Sequence, residues 1–164
     1  MRSTNLRDTV LGDFCSFKYG KTIRKSEVSP EGLFPVFSGY QIVGYLDSYM
    51  YEDSQLLVVC RGVGGTGDIK ISPKNCSITN LSIIISPDKR VDKKYLYWLL
   101  KNSNIYSLRT GSAQPQITIA DLERFSVAYH DSRLDQKAIT HILDTLDKKI
   151  ELNQQMNETL EEIA

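Results

Sequence analysis

The chain has 164 residues, which suits one globular domain with a sizeable core, and its 41% apolar and 24% charged residues are an ordinary soluble composition. Its formal net charge of zero, taken alone, lowers the expectation of a nucleic-acid partner. No apolar run approaches the roughly 20 residues that cross a bilayer, and the first residues lack the apolar stretch of a signal peptide, so a cytoplasmic protein without a membrane partner is expected.

The charges are unevenly distributed along the chain. Residues 1–110 carry fifteen Lys and Arg against ten Asp and Glu, whereas residues 111–164 carry five against ten. Opposite charge in two parts of one chain is a sign of a region that faces a polyanion. The first part is therefore the better candidate for contact with a nucleic acid.

Residues 1–90 predict short strands joined by Gly-rich turns, with few helices. The predicted segments are a brief helix or strand within 9–20, a basic loop over 21–25, a turn at 29–32, a strand, tight turn and strand over 34–46, and strands over 56–60, 68–72 and 77–86. The unbroken apolar run of 56–60 predicts a buried strand. The alternation of 68–72 predicts a half-exposed one.

From Asp92 onward the spacing of apolar residues becomes helical. Asp92 is the predicted N-cap of an amphipathic helix that reaches Lys101, with Trp98 partly buried. The later elements are a further helical turn over 103–108, a helix of one or two turns opened by a capping box from Thr118 to Asp121, and a strand over 125–129.

Residues 133–164 contain no Gly and no Pro, and they predict one long helix capped by Asp131 or Ser132. At about 1.5 Å per residue this helix is on the order of 48 Å long. Residues spaced alternately three and four apart form the a/d seam of a coiled coil, namely Gln136, Ile139, Leu143, Leu146, Ile150, Asn153, Asn157, Leu160 and Ala164. The two Asn residues cost stability but fix the register of pairing. A core helix of the same domain is the alternative interpretation.

Gly62, Gly64 and Gly67 satisfy the pattern G-x-G-x-x-G after a predicted strand, as in a dinucleotide-binding fold. The segment that follows alternates as a strand and ends at Pro73, so no helix N-terminus is available to bind a pyrophosphate. The sequence therefore predicts a glycine-rich loop or hairpin, whose backbone can lie against a phosphate or the edge of a base.

Motifs for catalysis or metal binding are absent from the sequence. The cysteines, Cys15, Cys60 and Cys76, are odd in number and far apart, which argues against a disulfide framework or a zinc site and predicts buried small residues. The two histidines, His130 and His141, stand in no recognisable nucleophile motif. We therefore expect a protein that is not an enzyme.

Short motifs follow one another in a definite order along almost the whole chain. They are Leu11-Gly12-Asp13, Lys18 to Lys21, Phe34 to Gly39 with Gly44-Tyr45, Arg61-Gly62 with the glycine cluster, Gly111-Ser112 with Gln114 and Gln116-Ile117, Asp135-Gln136 with Leu143, Leu146 and Ile150, and finally 151–160. Together they resemble the specificity (S) subunit of type I restriction-modification systems. The resemblance covers one target recognition domain and the conserved helical region that follows it.

This resemblance implies an α+β fold. A β-rich target recognition domain with a few short helices, residues 1–130, is expected to precede a long coiled-coil-type helix, residues 131–164. Complete S subunits resemble two such units in tandem, with their helices packed antiparallel as a spacer. Because this sequence has one unit, it resembles a half S subunit. Two copies are expected to associate through their helices and so restore the arrangement of a complete S subunit.

In function, the resemblance implies sequence-specific binding of double-stranded DNA without catalysis. The S subunit directs a methyltransferase (modification) subunit and a restriction subunit to a bipartite target. S-adenosylmethionine and ATP are expected on those partner subunits, and no cofactor is expected in this chain.

Side chains on the predicted loops are candidates for contact with DNA, Lys and Arg with phosphates, and polar or Arg side chains with base edges. They are Lys18, Lys21, Arg24, Lys25, Ser38, Tyr40, Gln41, Arg61, Lys70, Lys74 and Arg109. The candidates for helix pairing are Ile139, Leu143, Leu146, Ile150, Asn153, Asn157 and Leu160. The segment 111–116 has two interpretations, a structural joint, which is favoured, and a loop that faces DNA.

Two other functions remain open at the level of sequence. One is a specificity domain that serves a different class of methyltransferase. Such a domain would share the DNA-reading head, as we call residues 1–130. The other is a helical adaptor that binds only proteins. The adaptor predicts no salt-dependent affinity for DNA, whereas the S-subunit interpretation predicts a clear dependence on salt.

Overall fold

The computed structural model describes residues 6–62, 65–111 and 113–163, and within them the predicted α+β fold is confirmed. The strands are β1 Leu6–Val10, β2 Cys15–Tyr19, β3 Phe34–Phe37, β4 Ile42–Leu46, β5 Leu56–Val59, β6 Ile69–Ile71, β7 Ser77–Ile78, β8 Ser82–Pro87 and β9 Ser126–His130. The helices are α1 Lys93–Lys101, α2 Ile119–Glu123 and α3 Arg133–Ile163, with 3-10 turns at Leu11–Asp13, Lys25–Glu27 and Ile105–Leu108.

A four-stranded antiparallel sheet in the order β2-β8-β5-β6 forms the centre of the molecule. On one face, Leu56, Val58 and Ile83 pack into the main core together with the apolar side of α1. On the other face, Leu57 and Ile84 pack against residues of a second sheet. Because β5 is covered on both faces, its apolar run is unbroken, as the sequence predicted.

The second sheet has the order β4-β3-β7, and β1 pairs with β9 as a two-stranded ribbon. The prediction of one strand over 77–86 was wrong. The backbone turns over 79–81, where the Ser82 N–H donates to the Thr79 carbonyl. β7 therefore pairs with β3 in the second sheet, while β8 pairs with β2 and β5 in the central sheet.

Both predicted caps of the shorter helices are confirmed. The Asp92 carboxylate accepts from the backbone N–H groups of Lys94 and Tyr95 at the start of α1. At the start of α2, Thr118 and Asp121 exchange the two hydrogen bonds of a capping box. These caps satisfy N–H groups that a helix start leaves unpaired, which explains why the elements begin where the sequence indicated.

The long helix α3 begins on the head and then leaves it. The Ser132 hydroxyl accepts from the Asp135 N–H, so of the two predicted caps Ser132 makes the contact. Gln136 is 0% exposed and Ile139 packs against the main core, whereas side chains from Leu146 to Ile163 are exposed. The assignment of Gln136 to the pairing seam was therefore wrong. The division of the chain into 1–130 and 131–164 stays a prediction.

The three cysteines are free and buried, as predicted. Burial raises the pKa of the Cys15 thiol to about 12 and that of the Cys60 thiol to about 11. Both therefore remain protonated at neutral pH and behave as small apolar residues. Of the helices in the described ranges, none combines the length and the apolarity that crossing a membrane requires.

Candidate nucleic-acid interface

Several loops meet at one end of the central sheet, where β2 and β5 end and β6 and β8 begin. We call this region the loop end and define it as residues 19–22, 38–41, 61–62, 65–68, 106–111 and 113–116. Contacts between these segments hold it together, since residue 116 bridges both 61 and 110 and residue 40 contacts residue 61. The sheet thus brings together loops that are far apart in the sequence.

The turn between β3 and β4 is fixed onto the sheet below it. The Ser38 hydroxyl donates to the Gln41 carbonyl at 3.0 Å, and the Ser82 hydroxyl donates to the Ser38 carbonyl at 3.2 Å. Ser38 is only 2% exposed, so its prediction as a DNA contact was wrong, because its hydroxyl is used inside the turn. The side chain of Gln41 is exposed at the same turn.

Tyr40 lies against the glycine-rich loop and connects it to the turn. Its hydroxyl donates to the Arg61 carbonyl at 2.7 Å. Gly62 and Gly65 have φ values of +127° and +91°, and an added Cβ would lie 2.3 Å and 2.6 Å from atoms of Tyr40. These glycines are therefore required by the close approach of the Tyr40 ring, and β6 follows the loop in place of a helix. Val63 and Gly64 lie outside the described residues.

We expect Gly65→Ala to lower the free energy of unfolding by about 1–3 kcal/mol, because it adds a strained positive φ to a clash with Tyr40. Urea unfolding of the variant measures this loss. In a Tyr40→Ala background the clash disappears and only the backbone strain remains, so the two losses should not add. Strict additivity would contradict the assignment of this glycine to the Tyr40 contact.

Two arginines of the loop end stack on tyrosine rings. The guanidinium of Arg61 lies 5.6 Å from the ring centroid of Tyr19, and that of Arg109 lies 4.3 Å from the ring centroid of Tyr106. Arg109 also donates from Nε to the Thr66 carbonyl at 2.5 Å. A guanidinium resting on a ring is held in place while its N–H groups stay available, so Arg61 is placed to donate to a ligand.

Two lysines flank this region on the edge strands of the sheet. Lys18 on β2 and Lys70 on β6 lie at the two ends of one row across the sheet. Between them, Ile84 on β8 is the partner of Lys18, and Leu57 on β5 is the partner of Lys70. Lys18 Nζ lies 4.7 Å from the ring centroid of Tyr51, and Lys70 Nζ lies 3.9 Å from an oxygen of Asp68. Lys21, whose side chain is exposed, lies two residues after the end of β2, at the loop end.

The structure does not bring all of the candidates together. Lys74 follows β6 at the opposite end of the sheet, beyond Ser72, whose N–H donates to the Gln55 carbonyl. Arg24 precedes the exposed 3-10 turn that contains Lys25, and its Nε lies 3.9 Å from Glu27. The candidates that converge at the loop end are Lys21, Tyr40, Gln41, Arg61 and Arg109.

The tyrosines that support the arginines were not predicted from the sequence. The ring of Tyr19 lies against the guanidinium of Arg61, and the ring of Tyr106 lies against that of Arg109. The Tyr106 hydroxyl also donates a hydrogen bond to the Asp68 carboxylate. The only signal in the sequence was the nearness of these aromatic residues to basic ones, Tyr19 beside Lys18 and Tyr106 three residues before Arg109. The pairing of Tyr19 with Arg61 depends on the fold and has no signal of its own.

The segment 111–116 closes onto the end of β5. Thr110 and Gln116 exchange two backbone hydrogen bonds of 2.9 Å, and the Ile117 N–H donates to the Cys60 carbonyl at 3.0 Å. These contacts favour the interpretation as a structural joint, made through the backbone of Gln116. Gln116 forms a β-bridge with Arg61, so this joint lies next to the loops that would face a ligand. Ser112 lies outside the described residues.

The predicted pairing residues of α3 fall into two groups. Ile139 packs against the main core, and Leu143 lines an apolar groove of about 540 Å³ together with Trp98 and Leu99 of α1. The exposed members are Leu146, Ile150, Asn153, Asn157 and Leu160. The alternative of a core helix thus applies to the first third of α3, and an apolar face remains uncovered beyond it.

Within the described ranges, no three His, Cys, Asp or Glu side chains lie close enough together to hold a metal ion. The exposed candidates that converge at the loop end are cationic or polar. Such groups bind phosphates through charge and base edges through hydrogen bonds.

Comparison with protein families identifies a family whose model matches almost the whole chain. The family model of the type I restriction modification DNA specificity domain matches residues 7–162. A protein of Mycoplasma pneumoniae named as a type I specificity subunit is 24% identical over 165 residues, which cover 97% of this chain and 42% of that protein. The specificity subunit of the type I restriction enzyme HindI of Haemophilus influenzae is 35% identical over 98 residues, which cover 55% of this chain and 21% of that one.

Solved structures show the same fold. The crystal structure of the type I restriction-modification S subunit from Mycoplasma genitalium aligns with a TM-score of 0.82 at 22% identity, covering 92% of this chain and 41% of that one. The HsdS subunit from Thermoanaerobacter tengcongensis aligns with a TM-score of 0.68 at 18% identity, covering 90% and 39%. The chain therefore spans less than half the length of the relatives that it matches.

Proposed function

Since the chain belongs to the type I restriction modification DNA specificity domain family, we propose that it recognises a specific sequence in double-stranded DNA through its loop end. It does so without catalysis, as a specificity subunit does. The observation that carries the proposal is the convergence of exposed Arg61, Gln41 and Lys21 at one end of the central sheet, on loops that hydrogen bonds connect to one another and to the strands.

In this proposal the contacts divide into two kinds. Lys18, Lys21 and Lys70 neutralise phosphates and set the position of the head on the duplex, which carries no sequence information. Arg61 and Gln41 reach base edges in the major groove, where Arg matches the two acceptors of guanine and Gln matches the donor and acceptor of adenine. The tyrosine rings beside Arg61 and Arg109 restrict these side chains before DNA is bound, so less side-chain freedom is lost on binding.

We further propose that the head works in a pair. The exposed apolar face of α3 is covered by the α3 helix of a second copy, and the two heads then read a two-part target. A separate modification subunit, with S-adenosylmethionine, and a restriction subunit, with ATP, would supply the chemistry. The support for pairing is the uncovered face from Leu146 to Leu160, which places several large apolar side chains in solvent.

The Arg61→Ala variant tests the proposed function. We expect it to weaken binding to the cognate duplex by about 1–3 kcal/mol and to relax the preference for one base, while binding to unrelated duplexes changes little. The cognate sequence is first selected from a pool of random duplexes, and affinities are then measured by fluorescence anisotropy at several salt concentrations. Arg61→Lys should recover little of the loss, because an ammonium cannot replace a bidentate guanidinium.

Lys74→Ala is the matched control, since it removes one positive charge at the far end of the sheet. It should leave the affinity for the cognate duplex unchanged within about twofold, equivalent to roughly 0.4 kcal/mol. An equal loss on all sequences for Arg61→Ala would assign Arg61 to a phosphate. A wild-type chain with no salt-dependent affinity for any duplex would overturn the proposal and favour the protein-binding adaptor.

A further inference from the structure

Helix α3 is attached to the head at a first point by the buried amide of Gln136. Its Oε1 accepts from the Asp92 N–H at 2.8 Å, and its Nε2 donates to the carbonyls of Arg90 at 3.0 Å and His130 at 2.7 Å. One side chain thus connects the start of α3 to the loop before α1 and to the end of β9. This attachment fixes where the helix begins.

A second attachment lies two turns further along. Asp144 accepts from the indole Nε1 of Trp98 at 2.8 Å through one carboxylate oxygen, and its other oxygen lies 2.5 Å from Lys94 Nζ. Partial burial acts to raise the pKa of the Asp144 carboxyl, but the hydrogen bonds from Lys94 and Trp98 outweigh it and the pKa is lowered. The carboxylate is thus held in its charged form between two donors of α1.

We propose that Asp144 is a positioning residue that sets the direction in which α3 leaves the head. Resting on the proposed function, it thereby sets the separation between the two half-sites that a pair of heads can bind. Two points fix the direction of an axis, and Gln136 and Asp144 are eight residues apart, or about 12 Å along the helix. Gln136 contacts backbone groups before α1 and at the end of β9, whereas both partners of Asp144 are side chains within α1.

Because Asp144 lies at the edge of the head, a small change in the direction of α3 at this residue moves the far end of the helix by a large distance. From residue 145 to residue 163 the side chains of α3 are exposed, a length of about 28 Å at 1.5 Å per residue. A tilt of about 10° at Asp144 moves the far end of this segment by about 5 Å. Successive base pairs are about 3.4 Å apart along the duplex. The displacement of the helix end is therefore larger than the distance between two base pairs.

The direction of the helix can be measured without DNA. Spin labels on Glu52→Cys in the head and Glu158→Cys in α3 report the distance between them, with labelled chains diluted in excess unlabelled chains. The native cysteines are buried and should react slowly. We expect a narrow distance distribution in the parent chain and a shifted or broader one in Asp144→Ala. Trp98→Phe, which removes the indole N–H and keeps a smaller aromatic ring, should give an intermediate result.

Asp147→Ala is the matched control, because it removes an exposed carboxylate one turn along the same helix. It should reproduce the parent distribution. Asp144→Asn keeps an acceptor for Trp98 and loses the ion pair with Lys94, so it should recover part of the parent behaviour. Identical distributions for Asp144→Ala and Asp147→Ala would overturn the assignment of Asp144 as the residue that directs the helix.

The consequence for DNA is tested with duplexes that carry two copies of the selected half-site at increasing separations. The parent chain and Asp147→Ala should prefer one separation. In Asp144→Ala the preference for it over a separation one base pair longer should fall at least about tenfold, while affinity for a single half-site stays unchanged. An unchanged preference would overturn the proposal. A parent chain that binds no half-site overturns the proposed function, and the label distances then decide the direction of α3 independently.

Discussion

The double variant Leu146→Glu, Ile150→Glu is expected to abolish self-association of the chain at micromolar concentration. Both side chains lie on the uncovered face of α3, and a pair of helices would bury four of the introduced carboxylates against apolar residues. Because every 1.4 kcal/mol changes an association constant tenfold, the lost burial of about 1.5–3 kcal/mol per side chain corresponds to more than a hundredfold weaker association. Light scattering of parent and variant at matched concentrations measures this loss of self-association.

Leu152→Glu provides a control of the same chemistry. Leu152 is 56% exposed, close to the 52% of Leu146, but it lies outside the a/d positions of the heptad pattern. It should therefore leave the association nearly unchanged, and circular dichroism should show equal helix content in all variants. A parent chain that is a strict monomer, or an equal effect of Leu152→Glu, would contradict pairing through this face.

An antiparallel pair explains the two Asn residues of the seam. If Ile150 lies opposite Leu160 of the other copy, Asn153 lies opposite Asn157, and the reciprocal contact follows by symmetry. Each amide then meets another amide instead of an apolar side chain. Such matching restricts the register of the pair at a modest cost in stability.

The second large effect is expected at Gln136. Replacing it by Met keeps a similar volume but leaves the Asp92 N–H and the carbonyls of Arg90 and His130 without their partner. Since a buried unpaired polar group costs about 1–3 kcal/mol, we expect the free energy of unfolding to fall by about 3–5 kcal/mol. Urea unfolding in the Leu146→Glu, Ile150→Glu background measures the loss without interference from self-association.

Gln154→Met is the matched control for this loss, because Gln154 is exposed on the same helix. It should change the free energy of unfolding by less than about 0.5 kcal/mol. Gln136→Glu keeps the acceptor for the Asp92 N–H but lacks the two donors, so it should also be strongly destabilised. If Gln136→Met proves as mild as Gln154→Met, the amide does not fasten α3 to the head.

The sequence predicted elements whose causes are local. The caps at Asp92 and Thr118 act within three residues, and the apolar run of β5 reflects its own burial, so each could be recognised without knowledge of the fold. The division of 77–86 between two sheets could not be predicted in this way. β7 and most of β8 are buried alike, and their different partners are visible only in the folded structure.

The role of Gln136 was hidden for a similar reason. Its position fits the heptad pattern, so it looked like one more polar residue of the seam. Its three partners are backbone groups of residues 90, 92 and 130, and backbone groups leave no trace in a sequence pattern. The candidate site was predictable as a set of basic and polar loops, but its division into converging and distant residues required the sheet.

At residue 61, the group that supports the loop differs from the group that is proposed to contact DNA. Tyr40 holds the glycine-rich loop through the carbonyl of residue 61, a group that every amino acid possesses, and leaves the side chain at that position outside the supporting contact. A change of Arg61 therefore costs the scaffold little. If Arg61 reads a base as proposed, single substitutions at this position would change the target preference without compensating changes in the core.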